Sequence, residues 1–167
     1  MTGDPLTLTA LVAATVTSGL LTGVYLLYAH TVMPALRTLD DRGFVGAFQA
    51  LDRAIVNPWF MATGFLGAPV LAALALARTW GEPAAGWVAT ALVLVVLAMA
   101  VTARVHLPRN DALKDAGDPA TLADPAGVRR VFDEAHWVRW NLVRVATSLV
   151  ATCCLAWALV LIGPVTG

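Results

Sequence analysis

Charge is what this sequence has least of. Only 13% of its residues are charged, and 11 basic side chains balance 11 acidic ones to a net charge of +0. No basic excess is available to neutralise a phosphate backbone, so a nucleic-acid partner is not expected. Cysteine is nearly absent too. Cys153 and Cys154 are neighbours in an apolar run, where successive helical side chains diverge, which disfavours a bridge and leaves two buried packing residues. The chain has no glycine-rich phosphate loop, no nucleophile elbow and no cysteine pair at metal spacing, which removes the sequence-legible nucleotide and hydrolase classes. It has no internal repeat and no low-complexity tract, and a single membrane domain over residues 1–167 is expected. The N-terminus carries Asp4 and no basic segment, so its apolar run is expected to stay as a span rather than be removed as a signal peptide.

Apolar residues fill the space that charge leaves. They make up 59% of the chain, with a mean hydropathy of +0.74, outside the usual range of water-soluble domains. Residues 5–36, 54–77, 83–103 and 145–167 carry no charge at all. Each is long enough to cross about 30 Å of hydrocarbon at roughly 1.5 Å per helical residue. The expected fold is therefore all-α, a four-helix transmembrane bundle in a lipid bilayer with spans near 6–33, 58–78, 85–105 and 141–163. Arg37, Arg42 and Arg53 follow the first span, and Arg104, Arg109, Lys114, Arg129, Arg130, Arg139 and Arg144 surround the link between the third and fourth. Arg78 alone lies on the other side. The positive-inside rule then puts both long connections in the cytoplasm, with both termini outside and the protein in the cell membrane.

Between the first two spans, Phe44, Phe48, Leu51 and Ile55 recur at helical spacing, while Arg42, Gln49, Asp52 and Arg53 point elsewhere. An amphipathic interfacial helix over about 41–56 is expected. Pro34 is expected to interrupt the first span. Asn57 and Pro58 read as the cap and first residue of the second. Gly19 and Gly23 have the small-xxx-small spacing of close helix packing, inside the bundle first and in a homo-oligomer second. The long cytoplasmic link beyond His106 is rich in Pro, Gly and Asp and is expected to be mostly irregular, with Pro108 setting a turn.

The polar residues that remain gather at the inner ends of the spans. Residues 132–144 run without a breaker into the last span, and at about 100° per residue Asp133, Trp137, Trp140 and Arg144 share a stripe, with His136 and Asn141 on its shoulders. Trp at headgroup depth and a snorkelling Arg describe an interfacial helix end. They do not describe Arg144, a turn deeper, where an ionisable group turns into the bundle and needs a partner. Asp111 or Asp133 is the expected carboxylate, with Asn110 or Asn141 alongside. Tyr28, His30, Asn57, His106 and Arg109 lie near the same plane. Glu134 and His136 are two residues apart and diverge on a helix, so they do not form a carboxylate-bridged iron motif.

Four segments carry a resemblance: residues 32–36 (VMPAL), 48–58 (FQALDRAIVNP), 106–113 (HLPRNDAL) and 137–144 (WVRWNLVR). In that order the chain resembles the anthrone oxygenase-like family of small four-span membrane proteins, many of unassigned activity. The third segment commonly reads Asn-Val-Pro-Leu-Asn-Asp in that family; here His106 and Arg109 stand in place of the Asn and the Leu. The resemblance implies a monooxygenase that turns an anthrone-like aromatic of polyketide type into a quinone with O2, commonly without flavin, haem or reductant. Such chemistry needs a base, a clamp for the enolate oxygen and an aromatic slot. His136 or His106 would be the base, Arg144 with Asn110 and Asn141 the clamp, and Trp137 and Trp140 the stacking wall. Arg109, Tyr28, His30 and Asn57 complete the candidate substrate-binding set. His136 is favoured as base because one helix carries it with Trp137 and Arg144, leaving His106 to tune substrate choice. No cofactor and no metal ligand set is expected, with a copper or iron ion kept open as the alternative. A non-catalytic protein that holds a lipid or quinone at the same mouth is the competing class; a carrier would need polar groups along the whole path.

Overall fold

The computed structural model describes residues 4–163 and is all-helical, with no strand among the described residues. Four helices are long and apolar enough to cross a membrane: α1 (Pro5–Arg37), α3 (Pro58–Arg78), α4 (Ala85–Asp115) and α5 (Pro125–Ile162). The protein is thus a multi-pass membrane protein. A fifth helix, α2 (Asp41–Ile55), connects the first two spans. The spans form a ring in which α1 touches α3 and α5, and α4 closes the circle against the same two.

Inside lipid, burying apolar side chains gives helices little reason to associate, and close backbone approach takes over. The bundle is built accordingly. Ala10, Ala14, Ala68, Ala72, Ala75, Ala91, Ala98, Ala151 and Ala158 face inward, whereas Val16, Leu20, Val70, Val93, Leu149 and Val160 face outward. Of the glycine pair in α1, only Gly19 meets a neighbour, Thr152, while Gly23 has open space around it. Ser18, Thr22 and Thr152 join α1 to α5 through hydroxyl contacts of 3.0 and 3.2 Å. At the N-terminal end of α1, Asp4 caps the helix and pairs with Arg78 at 2.7 Å. Thr7, bonding through hydroxyl and backbone, holds the Asp4 carboxyl below its ordinary value.

Three spans change pitch at one level. The stretches Tyr28–Val32, Met61–Phe65 and Thr102–His106 are π-helical. Each contains the residue four before a proline: His30 before Pro34, Phe65 before Pro69 and Arg104 before Pro108. A helical proline offers no N–H to that carbonyl and its ring collides with it. Widening the turn by one residue moves the carbonyl aside and lets the helix continue. Pro34 and Pro108 therefore end neither helix, contrary to the sequence expectation. Gly67 belongs to the same device, since a Cβ there would come within 2.5 Å of the Ala62 carbonyl oxygen.

The link between α4 and α5 is also more ordered than its composition suggests. Helix continues to Asp115 and resumes at Pro125, so only 116–124 is irregular. Nor does α5 run without a break. Asp133 adopts a left-handed conformation (φ 52°) that separates Pro125–Phe132 from Glu134–Ile162, and its side chain caps the second part through the His136 N–H.

Candidate active site

Helix α2 lies across the end of the bundle where the π-helical turns are. Its buried stripe differs from the expected one. Leu51 is 37% exposed and Asp52 only 7%, while Gln49 is buried as well. The helix packs on the ends of α4 and α5, so its inner face meets main-chain and charged groups. Gln49 donates to the carbonyls of Leu113 and Gly117 at 2.9 and 3.0 Å. Arg42 donates to the carbonyls of Pro119 and Leu122, and Arg129 pairs with Asp41. Its own inward rings, Phe44 and Phe48, meet Phe132 and Trp137 beneath it, edge to face or stacked.

Between this aromatic layer and the alanine-rich bundle is a cavity of about 230 Å³, just under the usual ligand-pocket range of about 300–1,000 Å³. Val24, Phe48, Ile55, Phe60, Met61 and Phe65 give it apolar walls. Its polar lining is Tyr25, Tyr28, Asp52, Thr102, His106, Asn110 and Arg144, with Trp137 beside them. All three π-helical turns contribute: Tyr28 from the first, Met61 and Phe65 from the second, Thr102 and His106 from the third.

Arg144 is buried, with no carboxylate beside it among the described residues. Its Nη2 donates to Asn141 Oδ1 at 2.7 Å and its Nη1 to Thr102 Oγ1 at 3.1 Å. The guanidinium lies 4.3 Å from the centre of the Tyr25 ring and 5.4 Å from that of Trp137. The expected acidic partners are engaged elsewhere, Asp111 with Lys114 at 3.0 Å and Asp133 as a helix cap. Neutral oxygens and ring faces thus hold the cation, with no carboxylate in salt-bridge range among the described residues, a condition that favours a negatively charged ligand. Asn141 stands behind it, donating to the Tyr25 carbonyl at 3.0 Å.

His106 is 1% exposed and meets the Trp137 ring edge-on, with centroids 4.7 Å apart. Its Nδ1 lies 3.5 Å from the Val101 carbonyl. A carbonyl only accepts, so in the tautomer that makes this contact a hydrogen bond the ring proton sits on Nδ1 and Nε2 carries the lone pair. That Nε2, the Tyr25 hydroxyl and the Arg144 Nε are buried without a hydrogen-bond partner. Buried polar groups are normally satisfied; here three such atoms belong to residues lining one cavity.

Of the residues proposed from the sequence, His106, Asn110, Trp137, Arg144 and Tyr28 come together here, with Asn141 directly behind. The others do not line the cavity. His136 and Trp140 pack on each other at 6.2 Å on the flank of α5. The buried stripe runs through Trp137, Asn141, Arg144 and Ser148, about 40° round the helix from the expected one, which leaves both at its edge. Arg109 turns back to its own helix at Val105, His30 is exposed and bonded to Thr31, and Asn57 caps α3. Tyr25, Asp52 and Thr102 were not anticipated. Asp52 had a visible signal, lying four residues after Phe48 and three before Ile55 on the face that turns inward.

Among the described residues no three His, Cys, Asp or Glu side chains converge as a metal site would require. The fold and site define a four-span membrane protein with an apolar, cation-bearing pocket at one end. The profile of a known family, described as anthrone oxygenase, matches residues 54–154. The chain belongs to the anthrone oxygenase family. No curated protein and no solved structure matches it.

Proposed function

We propose that this protein is a membrane-bound monooxygenase that converts an anthrone or a related polycyclic aromatic of polyketide type to its quinone with O2. The observation that carries the proposal is the buried, carboxylate-free Arg144 on the wall of an aromatic cavity, with the bare Nε2 of His106 on the same lining. The ring methylene of an anthrone is acidic because its anion is an aromatic enolate. His106 Nε2 takes that proton, and Arg144 with the Tyr25 hydroxyl receives the enolate oxygen. Trp137, Phe48 and Phe65 border the flat rings. The electron-rich carbon reduces O2, and the radical pair combines to a hydroperoxide, protonated from the imidazolium. Loss of the remaining C–H proton with cleavage of the O–O bond yields the carbonyl and one water. The four-electron oxidation of CH2 to C=O matches the reduction of O2, so no external reductant is consumed. His106 thereby takes the role of base in preference to His136.

Oxygen uptake by purified protein, given a panel of anthrones and hydroquinones with and without a chelator, tests this. One quinone should form per O2 consumed, at a rate the chelator leaves unchanged. Loss of activity restored by copper or iron would replace direct O2 attack with a metal route. Tight binding of quinones without O2 uptake would instead favour a holding protein, a role the largely apolar lining also suits.

The cavity end, where the basic residues gather, is proposed to face the cytoplasm. In a background with Cys153 and Cys154 replaced, a cysteine at Gly81 should react with an impermeant label from outside. One at Asp118 should react only in opened membranes.

A further inference from the structure

A chain of hydrogen bonds leaves the cavity and ends in water. Trp137 Nε1 donates to Asn110 Oδ1 at 3.0 Å, and Asn110 Nδ2 donates to Asp52 Oδ1 at 2.6 Å. Asp52 Oδ2 pairs with Lys114 Nζ at 2.8 Å, and Lys114 reaches Asp111, which is exposed. The direction of each bond is forced. An indole nitrogen only donates, so Asn110 must turn its oxygen towards Trp137 and its NH2 towards Asp52; an ammonium also only donates. Asp52 is thus the acceptor on which two donors converge, and with it in place Asn110 has a single amide orientation. Trp137, held by that amide, is in turn the ring against which His106 stands edge-on and near which Arg144 lies.

We infer that Asp52 is a positioning residue, through which the surface helix α2 sets the orientation of Asn110 and Trp137 and so the placing of His106 and Arg144. Asp52 precedes the stretch that matches the family profile, and its place on α2 makes that helix part of the site rather than only a membrane-surface cap. For its effect on turnover the inference rests on the oxygenase reading above; for its effect on Trp137 it does not.

The test exchanges the two partners. In Asp52→Asn one amide oxygen faces two donors, Lys114 and Asn110, and one contact is lost. In Asn110→Asp two carboxylates oppose each other. In the double variant Asp52→Asn/Asn110→Asp every donor again meets an acceptor. Lys114 bonds the amide oxygen introduced at position 52, and the NH2 of that amide bonds the carboxylate introduced at position 110. Trp137 bonds the other oxygen of the same carboxylate. Two readouts are followed: kcat for O2 uptake with an anthrone, and the indole N–H signal of Trp137, assigned by its disappearance in Trp137→Phe. Asp52→Asn should lower kcat about tenfold with KM changed less, the effect of one lost charge-assisted hydrogen bond. Asn110→Asp should lower it further, and the double variant should return to within about threefold of the starting protein, the non-additivity of a coupled pair. The indole signal should shift in each single variant and return in the double.

A double variant as impaired as the two single losses combined would overturn the inference, because the carboxylate would then be needed at position 52 itself. An indole signal indifferent to Asp52→Asn would overturn it as well. If Asn110→Asp alone does not fold, Asp52→Asn against the double variant decides the same question. If the unaltered protein consumes no O2 with any anthrone, the proposed function fails, while the indole signal still decides the role of Asp52.

Discussion

The two halves of the bundle solve opposite problems. The half remote from α2 is packed with alanine and joined by Ser18, Thr22 and Thr152, and each of these hydroxyls has a partner. Its hydroxyls bond to one another across helices or to carbonyls of their own helix. The half beneath α2 packs phenylalanine and tryptophan, opens its helices at three prolines, and leaves Tyr25, His106 and Arg144 each with an unpartnered atom. Close packing through small residues leaves no room for a ligand. Aromatic rings across widened helical turns enclose a cavity, and polar groups left unsatisfied there are available to what enters it. Stability should therefore reside in the first half and chemistry in the second.

Substitutions can break that division, the largest effect coming from the base. His106→Ala should reduce O2 uptake by about 10²- to 10⁴-fold, the usual value of a positioned general base, whereas His136→Ala should stay within about threefold. The reverse order would return the base to the flank of α5. Arg144→Lys should follow with a loss of about 10²- to 10³-fold in kcat, as when an oxyanion donor is removed, because an ammonium cannot reproduce the planar fork over Tyr25. In the remote half, Thr152→Val keeps the shape and removes the hydroxyl between Ser18 and Thr22. It should lower stability by about 0.6–2 kcal/mol with turnover unchanged; a large loss of activity would erase the contrast between the halves. Asp4→Asn should do least, as its ion pair with Arg78 is open to water. Since the Asp4 carboxyl is held below its ordinary value, whatever it contributes is present above that value. It fades as pH falls through the lowered one, which a thermal melt of both proteins at falling pH would show.

The prolines show what could be read in advance and what could not. Pro34, Pro69 and Pro108 are plain in the sequence, and each requires some local change of helix. Whether the change is an end, a kink or a widened turn depends on neighbours that re-satisfy the freed carbonyl. The structure makes all three widened turns, and each contributes side chains to the cavity lining. Asp52 teaches the same lesson from the other side. On a helix lying on lipid its charge would have to turn outward, which outweighed its spacing from Phe48 and Ile55. Packed against Asn110 and Lys114, it turns inward and Leu51 is displaced.

By itself the sequence determined the number of spans, the helix between the first two, and a group of inner-end residues, His106, Asn110, Trp137, Asn141 and Arg144, that the structure brings together. Long uncharged runs cannot stay in water, and ionisable groups at membrane depth cannot face lipid. Tertiary structure alone decided which histidine shares the cavity with the arginine and what accompanies it. A turn of α5 by about 40° separates a flank from a wall. Tyr25 and Asp52 reach the same cavity from helices whose contact with α4 and α5 no local pattern records.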